Sequence, residues 1–173
     1  MYQPINAVVI MGVAGCGKSA VGRALELRCG ARLIEGDAFH SDRNIKKMSA
    51  GEPLTDKDRA GWLRALEKQL RQAYAAGEHS ILTCSALKRS YREGLRQAMP
   101  GLGFAYLQLS PEAAAERMAR RRGHFMPASL LDSQFADLEP PLDEPLTLVV
   151  DATQSVDSLA RTIHQWWQQH APA

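Results

Sequence analysis

Cysteine is scarce in this chain, with only Cys16, Cys29 and Cys84 among 173 residues. An odd number without metal-ligand spacing supplies neither a disulfide framework nor a zinc site. Free thiols point to a reducing compartment. Long apolar runs are absent too, and nothing approaches the roughly 20 residues that span a bilayer. The start, Met1-Tyr2-Gln3-Pro4-Ile5-Asn6, lacks the basic residues and apolar stretch of a signal peptide. These absences predict a cytoplasmic protein with no leader and no membrane attachment. Charge of one sign is also missing. The 21 Lys and Arg against 19 Asp and Glu leave a formal net charge of +2, too small for a general nucleic-acid binder.

What is present is an ordinary globular composition, 45% hydrophobic and 23% charged. The length suits one domain, residues 1–173, with a sizeable core. Five short apolar runs read as buried parallel strands: Ala7–Met11, Arg32–Glu35, Ser80–Cys84, Phe104–Leu109 and Leu146–Val150. The first, third and fifth show no polar alternation, as expected when both faces of a sheet are covered. Helices fall between them. Lys18–Cys29 ends at Gly30, a good left-handed cap. Thr55 with Asp58 three residues on forms a reciprocal cap. Ser110-Pro111-Glu112 is another start signal. A last helix runs from about Val156 to Gln168 and carries Trp166-Trp167, which are expected to pack. Strand and helix alternate, so the fold class is α/β, an open five-stranded parallel sheet flanked by helices.

The decisive feature is Gly12-Val13-Ala14-Gly15-Cys16-Gly17-Lys18-Ser19. It follows the strand Val8-Val9-Ile10-Met11 and opens a helix, the context that a phosphate-binding P-loop requires. Glycines let the backbone curl until several N–H groups face phosphate oxygens. The helix N-terminus adds partial positive charge. Lys18 supplies an ammonium to the outer phosphates, and Ser19 offers a hydroxyl to Mg²⁺. The expectation is a phosphotransferase that uses ATP and Mg²⁺. Cys16, close to Lys18 and a helix N-terminus, is expected to be a reactive thiol.

Two absences narrow the choice of phosphate acceptor. No Asn-Lys-x-Asp segment is present to read guanine, which argues against a nucleotide switch. No apolar strand ends in a Walker B aspartate, because Ile81-Leu82-Thr83 runs into Cys84-Ser85. The acid must come from elsewhere. The second strand ends at Glu35-Gly36-Asp37, and ligands sit at the carboxyl ends of strands in such sheets. Asp37 is the candidate to accept a proton from an attacking hydroxyl, and Glu35 the candidate to hold a Mg²⁺-bound water. A plain helix cap is the alternative reading of Asp37.

Four further blocks carry a family resemblance. They are Glu35-Gly36-Asp37-x-x-His40-x-x-x-Asn44-Ile45-x-Lys47-Met48-x-x-Gly51-x-Pro53-Leu54-x-Asp56-x-Asp58-Arg59, Cys84-Ser85-Ala86-Leu87-Lys88-x-x-Tyr91-Arg92, Arg117-x-x-x-Arg121-x-Gly123-His124-Phe125, and Ser133-Gln134-Phe135-x-x-Leu138-Glu139-x-Pro141. In this order they resemble the gluconate kinase (gluconokinase) family over nearly the whole chain. The resemblance implies a fold like shikimate and nucleoside monophosphate kinases, with a mobile lid at about 117–138 and a homodimer. It implies transfer of the ATP γ-phosphate to the terminal hydroxyl of D-gluconate, with Asp37 orienting that hydroxyl. Many relatives have serine at Ala14 and Cys16 and proline at Ser41. Backbone groups do the cradling, so activity is expected to survive the first two differences.

Gluconate is an anionic polyol, so cations and hydroxyl partners are expected around it. Lys88 and Arg92, four residues apart, are candidates for its carboxylate if they share a helical face. A solvated basic face is the alternative. His40 and Arg59 are similar candidates. Arg117 and Arg121 match the family block as lid residues, Arg117 toward the nucleotide and Arg121 toward the transferring phosphate. Arg120 and Arg122 are open to a merely solvated role. Asp151-Ala152-Thr153-Gln154 is a weaker nucleotide contact.

Overall fold

A computed structural model describes residues 4–120 and 128–171 of the chain. Its strands β1 (Ala7–Met11), β2 (Arg32–Glu35), β3 (Ser80–Thr83), β4 (Leu102–Gln108) and β5 (Thr147–Asp151) form one sheet in the order β2-β3-β1-β4-β5. Every neighbouring pair is parallel. The first two strands fall where the sequence places them. The others shift by one or two residues, because pairing rather than apolar character sets strand ends. Leu102 and Gly103 already pair with Ala7 and Val8 ahead of the apolar run. Leu146 sits at φ 49°, in a left-handed turn just before β5.

β1 shows why the sheet is covered on both faces. Its five residues are all buried and alternate between two cores. Val8 and Ile10 join Val21 and Leu25 of α1 (Lys18–Cys29) and Leu159 and Ile163 of α7 (Val156–Gln169). Ala7, Val9 and Met11 face Trp62, Leu66 and Leu70 of α3 (Asp56–Ala75) and Leu95 of α4 (Arg89–Ala98). Three further α-helices are α2 (Asp42–Ser49), α5 (Pro111–Arg120) and α6 (Ala128–Asp137). The end signals act as expected. Gly30 closes α1 at φ 71°, donating to the Glu26 carbonyl, and Thr55 and Asp58 complete both halves of the α3 capping box. Trp167 is buried, and its Nε1–H donates to the Ile5 carbonyl at 3.0 Å, so this tryptophan packs α7 against the start of β1. Among the described residues no helix is long and apolar enough to cross a membrane.

Candidate active site

The phosphate loop leaves β1 at Met11 and enters α1 at Lys18. Gly12 takes φ 149°, and a Cβ there would stand 2.7 Å from Cys16 Sγ and 3.0 Å from the Leu107 carbonyl. No other residue fits this tight departure from the strand. The Lys18 ammonium folds over the loop and donates to the carbonyls of Gly12 (2.8 Å) and Val13 (3.0 Å). One cradle amide is already engaged, since Ala14 N–H donates to Gln134 Oε1 of α6 at 2.7 Å. Arg117 of α5 ties the loop to the end of β5. Its Nη1 donates to the carbonyls of Gly15 and Cys16 at 3.3 Å, and its Nη2 to Ala152 at 2.6 Å.

Cys16 differs from expectation. Its side chain is buried in the core beneath the loop, so the loop does not present a reactive thiol to solvent. Cys84 is buried as well, and burial pushes its thiol up to about 12.

β3 ends in Thr83, where other P-loop proteins carry an aspartate, and β2 supplies the missing carboxylate. Glu35 Oε2 accepts from Thr83 Oγ1 at 2.6 Å and from Ser19 Oγ at 3.0 Å. Gly36 makes this approach possible, because a Cβ there would lie 2.2 Å from the Thr83 carbonyl oxygen. Glu35 Oε1 is buried with no hydrogen-bond partner among the described residues. A spare carboxylate oxygen beside a hydroxyl suits a hard cation that keeps most of its water. Among the described residues no group of three or more His, Cys, Asp or Glu could hold a metal ion, so a cation here would rely on phosphate and water for its other positions.

Asp37 lies in a short 3₁₀ turn, Gly36–Phe39, directly after β2. It is exposed and does not cap α2. That role belongs to Ser41, which accepts from Asn44 N–H at 3.1 Å. Asp37 instead lines a cavity of about 350 Å³ together with Lys18, His40, Arg59, Ser85 and Gln134. His40 stacks on Trp62 with ring centroids 4.3 Å apart and planes 13° apart. Burial lowers its pKa below the ordinary histidine value, and nearby Arg59 pushes the same way against the opposing charge of Asp37. Arg59 Nη1 donates to Tyr91 Oη and to Asp137 of α6, both at 3.0 Å.

The other two cations behave differently from the sequence reading. Lys88 is the N-cap residue of α4 rather than part of a shared helical face with Arg92. Its ammonium is paired with Asp56 at 2.8 Å, outside the residues lining the cavity. Arg92 is fully buried. Its Nε and Nη2 bind Glu144, Nη2 also binds the Glu139 carbonyl, and Nη1 binds the carbonyls of Ala86 and Leu87. All five N–H donors are thereby used, so Arg92 has none left for a substrate carboxylate. Arg120 pairs with Glu116 on the exposed side of α5. Arg121, Arg122, Gly123, His124 and Phe125 lie outside the described residues.

Sequence reasoning assigned no role to Gln134, Thr83, Trp62 or Asn44. Thr83 carried a signal, a hydroxyl at the end of an apolar strand beside the P-loop. Gln134 and Asn44 stood in the family blocks with no chemistry attached to them.

A site of this kind, with a cradle, a carboxylate beside Ser19 and an adjoining polar cavity, belongs to a P-loop kinase, and the comparisons specify which. The family model described as AAA domain matches residues 8–141. Gluconokinase from Gluconobacter oxydans (strain 621H) is 45% identical over 161 residues, covering 93% of this chain and 90% of that protein. The crystal structure of a gluconokinase from Sinorhizobium meliloti 1021 superposes with a TM-score of 0.87 at 45% identity, covering 98% of this chain and 94% of that one. Shikimate kinase from Acinetobacter baumannii, in complex with shikimate, shares the fold at 19% identity with a TM-score of 0.56. At that identity over nearly its full length, the chain belongs to the gluconokinase family of P-loop kinases.

Proposed function

We infer that the chain phosphorylates gluconate with ATP, giving 6-phosphogluconate and ADP, and that the acceptor atom is the terminal hydroxyl. The observation that carries this is the cavity itself, in which Lys18 of the phosphate loop and Asp37, His40 and Arg59 of the β2–α3 region line one space. Phosphoryl transfer needs little covalent chemistry from a protein and depends on positioning and charge. Asp37 is the group to accept the hydrogen bond and proton of the attacking hydroxyl. Arg59, tied at one nitrogen to Tyr91 and Asp137, is the cation for the acceptor carboxylate, with His40 as a hydroxyl partner. Loop amides from Gly12 to Ser19 and the Lys18 ammonium take the nucleotide phosphates, with Arg117 beside them.

Ser19 and, through water, Glu35 would hold Mg²⁺, which neutralises phosphate charge when bound. Residues 117–138 serve as a lid within a single domain, and Arg121 is the lid residue assigned to the transferring phosphate. A homodimer in the cytoplasm completes the proposal. ADP release measured in a coupled assay over gluconate, shikimate and nucleoside monophosphates tests it. Turnover dependent on gluconate is expected, with the product phosphate on the primary carbon by ³¹P NMR. Faster turnover with shikimate or a nucleotide acceptor would overturn the assignment.

A further inference from the structure

Asn44 is 3% exposed, on the first turn of α2, and its side-chain amide bridges two neighbours. It lies 2.9 Å from the Asp58 carbonyl oxygen and 3.3 Å from His40 Nδ1. A backbone carbonyl can only accept, so the amide atom facing Asp58 must be the nitrogen. That same nitrogen presents its second hydrogen to His40. Nδ1 must then be the bare, accepting nitrogen, and in a neutral ring the proton sits on Nε2. Protonating Nδ1 would set two N–H groups against each other.

The rest of the surroundings hold this arrangement in place. Asp58 is fixed by Lys47 at 2.6 Å and by the capping box of α3, which anchors the carbonyl that orients Asn44. The imidazole lies flat on Trp62, whose own N–H is held by the Gly36 carbonyl at 2.8 Å. The charged groups acting on the ring are Asp37 from the preceding turn and Arg59 from α3, and Asp58 is occupied with Lys47. Burial and Arg59 both disfavour a second proton.

We propose that Asn44 is a positioning residue for the phosphate acceptor, holding His40 as the neutral Nε2–H tautomer so that the ring offers the cavity one hydrogen-bond donor and no charge. A neutral donor selects a hydroxyl oxygen. An imidazolium in the same place would draw the acceptor's carboxylate or a free phosphate toward the catalytic end of the cavity. The inference rests on the reading of this cavity as the polyol site, and one of its two tests does not depend on that reading.

Long-range ¹H–¹⁵N NMR of the unliganded protein, with His40 assigned by comparison with His40→Gln, reports which ring nitrogen carries hydrogen. The expected result is a proton on Nε2 only, with no titration near the ordinary histidine pKa of about 6.5. A proton on Nδ1, or an imidazolium at neutral pH, overturns the proposal whether or not gluconate is the substrate. The second test is kinetic. His40→Gln keeps an N–H near the Nε2 position and should hold the gluconate KM within a few-fold. His40→Phe keeps the stack on Trp62 but has no donor, and should raise that KM about tenfold, the worth of one lost hydrogen bond, with the ATP KM unchanged. Asn44→Leu should raise the gluconate KM similarly and, in the same NMR measurement, release His40 from the Nε2–H form into a mixture with the Nδ1–H tautomer. If His40→Phe matches the wild type, the donor role is wrong. If the tautomer is as expected but gluconate is not turned over, the functional reading fails and the tautomer assignment stands.

Discussion

Arg59 and Arg92 are both buried arginines, each closing one of two different family blocks, and they sit in opposite kinds of region. Arg92 lies in a closed knot. Glu144 accepts from it at 2.6 and 2.9 Å and from Arg96 at 2.9 Å, and the remaining Arg92 donors go to carbonyls. Arg59 uses one nitrogen and lines an open cavity with Lys18, Asp37 and His40. Burial and charge are alike at the two places. What distinguishes Arg59 from Arg92 is hydrogen-bonding capacity left over beside a cavity, at the carboxyl ends of β1, β2 and β3. Among the described residues the knot also holds spare donors, on Arg96 Nε and Nη2, but they are buried outside the residues that line the cavity.

The sharpest way to break the comparison is to remove surplus capacity at its catalytic end. Asp37→Asn should lower kcat by about 10²- to 10⁴-fold, the usual worth of a positioned acid–base group. Asparagine keeps the size and can accept a hydrogen bond, but it takes no proton. ATP affinity, measured by calorimetry, should stay unchanged, since the cradle runs from Gly12 to Ser19. A kcat within a few-fold of wild type would remove Asp37 from the catalytic list.

Arg92→Leu should act on stability instead. It leaves the buried Glu144 carboxylate with Arg96 as its one remaining cation among the described residues, which should cost up to about 3–5 kcal/mol in chemical denaturation, while kcat of the folded fraction stays near normal. Glu144→Gln combined with Arg92→Leu should recover part of the loss. Acid probes the same knot. Burial alone would raise the Glu144 carboxyl, but hydrogen bonds from Arg92 and Arg96 outweigh it and hold the pKa below the usual value. A carboxyl depressed in the folded state stabilises above its unfolded pKa, and that contribution is lost as pH falls through the folded value. The wild type should therefore lose stability below about pH 4, with a smaller loss in the double variant. Impaired gluconate binding in folded Arg92→Leu would return Arg92 to the site.

How far the sequence revealed these differences depends on distance along the chain. The β1–loop–α1 unit is local, so spacing alone places the cradle, and the second strand delivers Glu35 and Asp37 within a few residues. The Arg92 knot is not local, because Glu144 lies 52 residues further on, in a loop. Nothing in the spacing of Lys88 and Arg92 reveals that one caps a helix and the other is enclosed. Cys16 misleads for a related reason. Its neighbours in sequence are the proposed phosphate ligands, yet its side chain turns into the core, a direction that loop dihedrals set and composition does not show.

Arg59→Ala should raise the gluconate KM by about 10- to 100-fold, the range for a charge-assisted hydrogen bond, with little change in the KM for ATP. Arg59→Lys should recover only part of it, since an ammonium lacks the planar fork. A variant with unchanged KM and a lowered melting temperature would place Arg59 alongside Arg92 as a strut.

The smallest effect is expected at the contact between α6 and the phosphate loop. Gln134 Oε1 accepts from Ala14 N–H at 2.7 Å, across 120 residues of chain. An amide oxygen thus holds a loop N–H that the proposed nucleotide site would offer to a phosphate oxygen. On that proposal nucleotide binding breaks this bond to free the amide, and its net worth is about 0.5–1.5 kcal/mol. Gln134→Leu removes the competitor at similar volume. Affinity for ADP, measured by calorimetry without acceptor, should then rise by about two- to tenfold, as the unliganded state alone loses the bond. The thermal midpoint without nucleotide should drop slightly, and the shift produced by ADP should grow. Weaker ADP binding would mean that Gln134 contacts the bound nucleotide rather than standing in for it. α6 would then belong with the open, ligand-facing region that contains Arg59, and the surplus that defines the site would extend from the strand ends onto this helix.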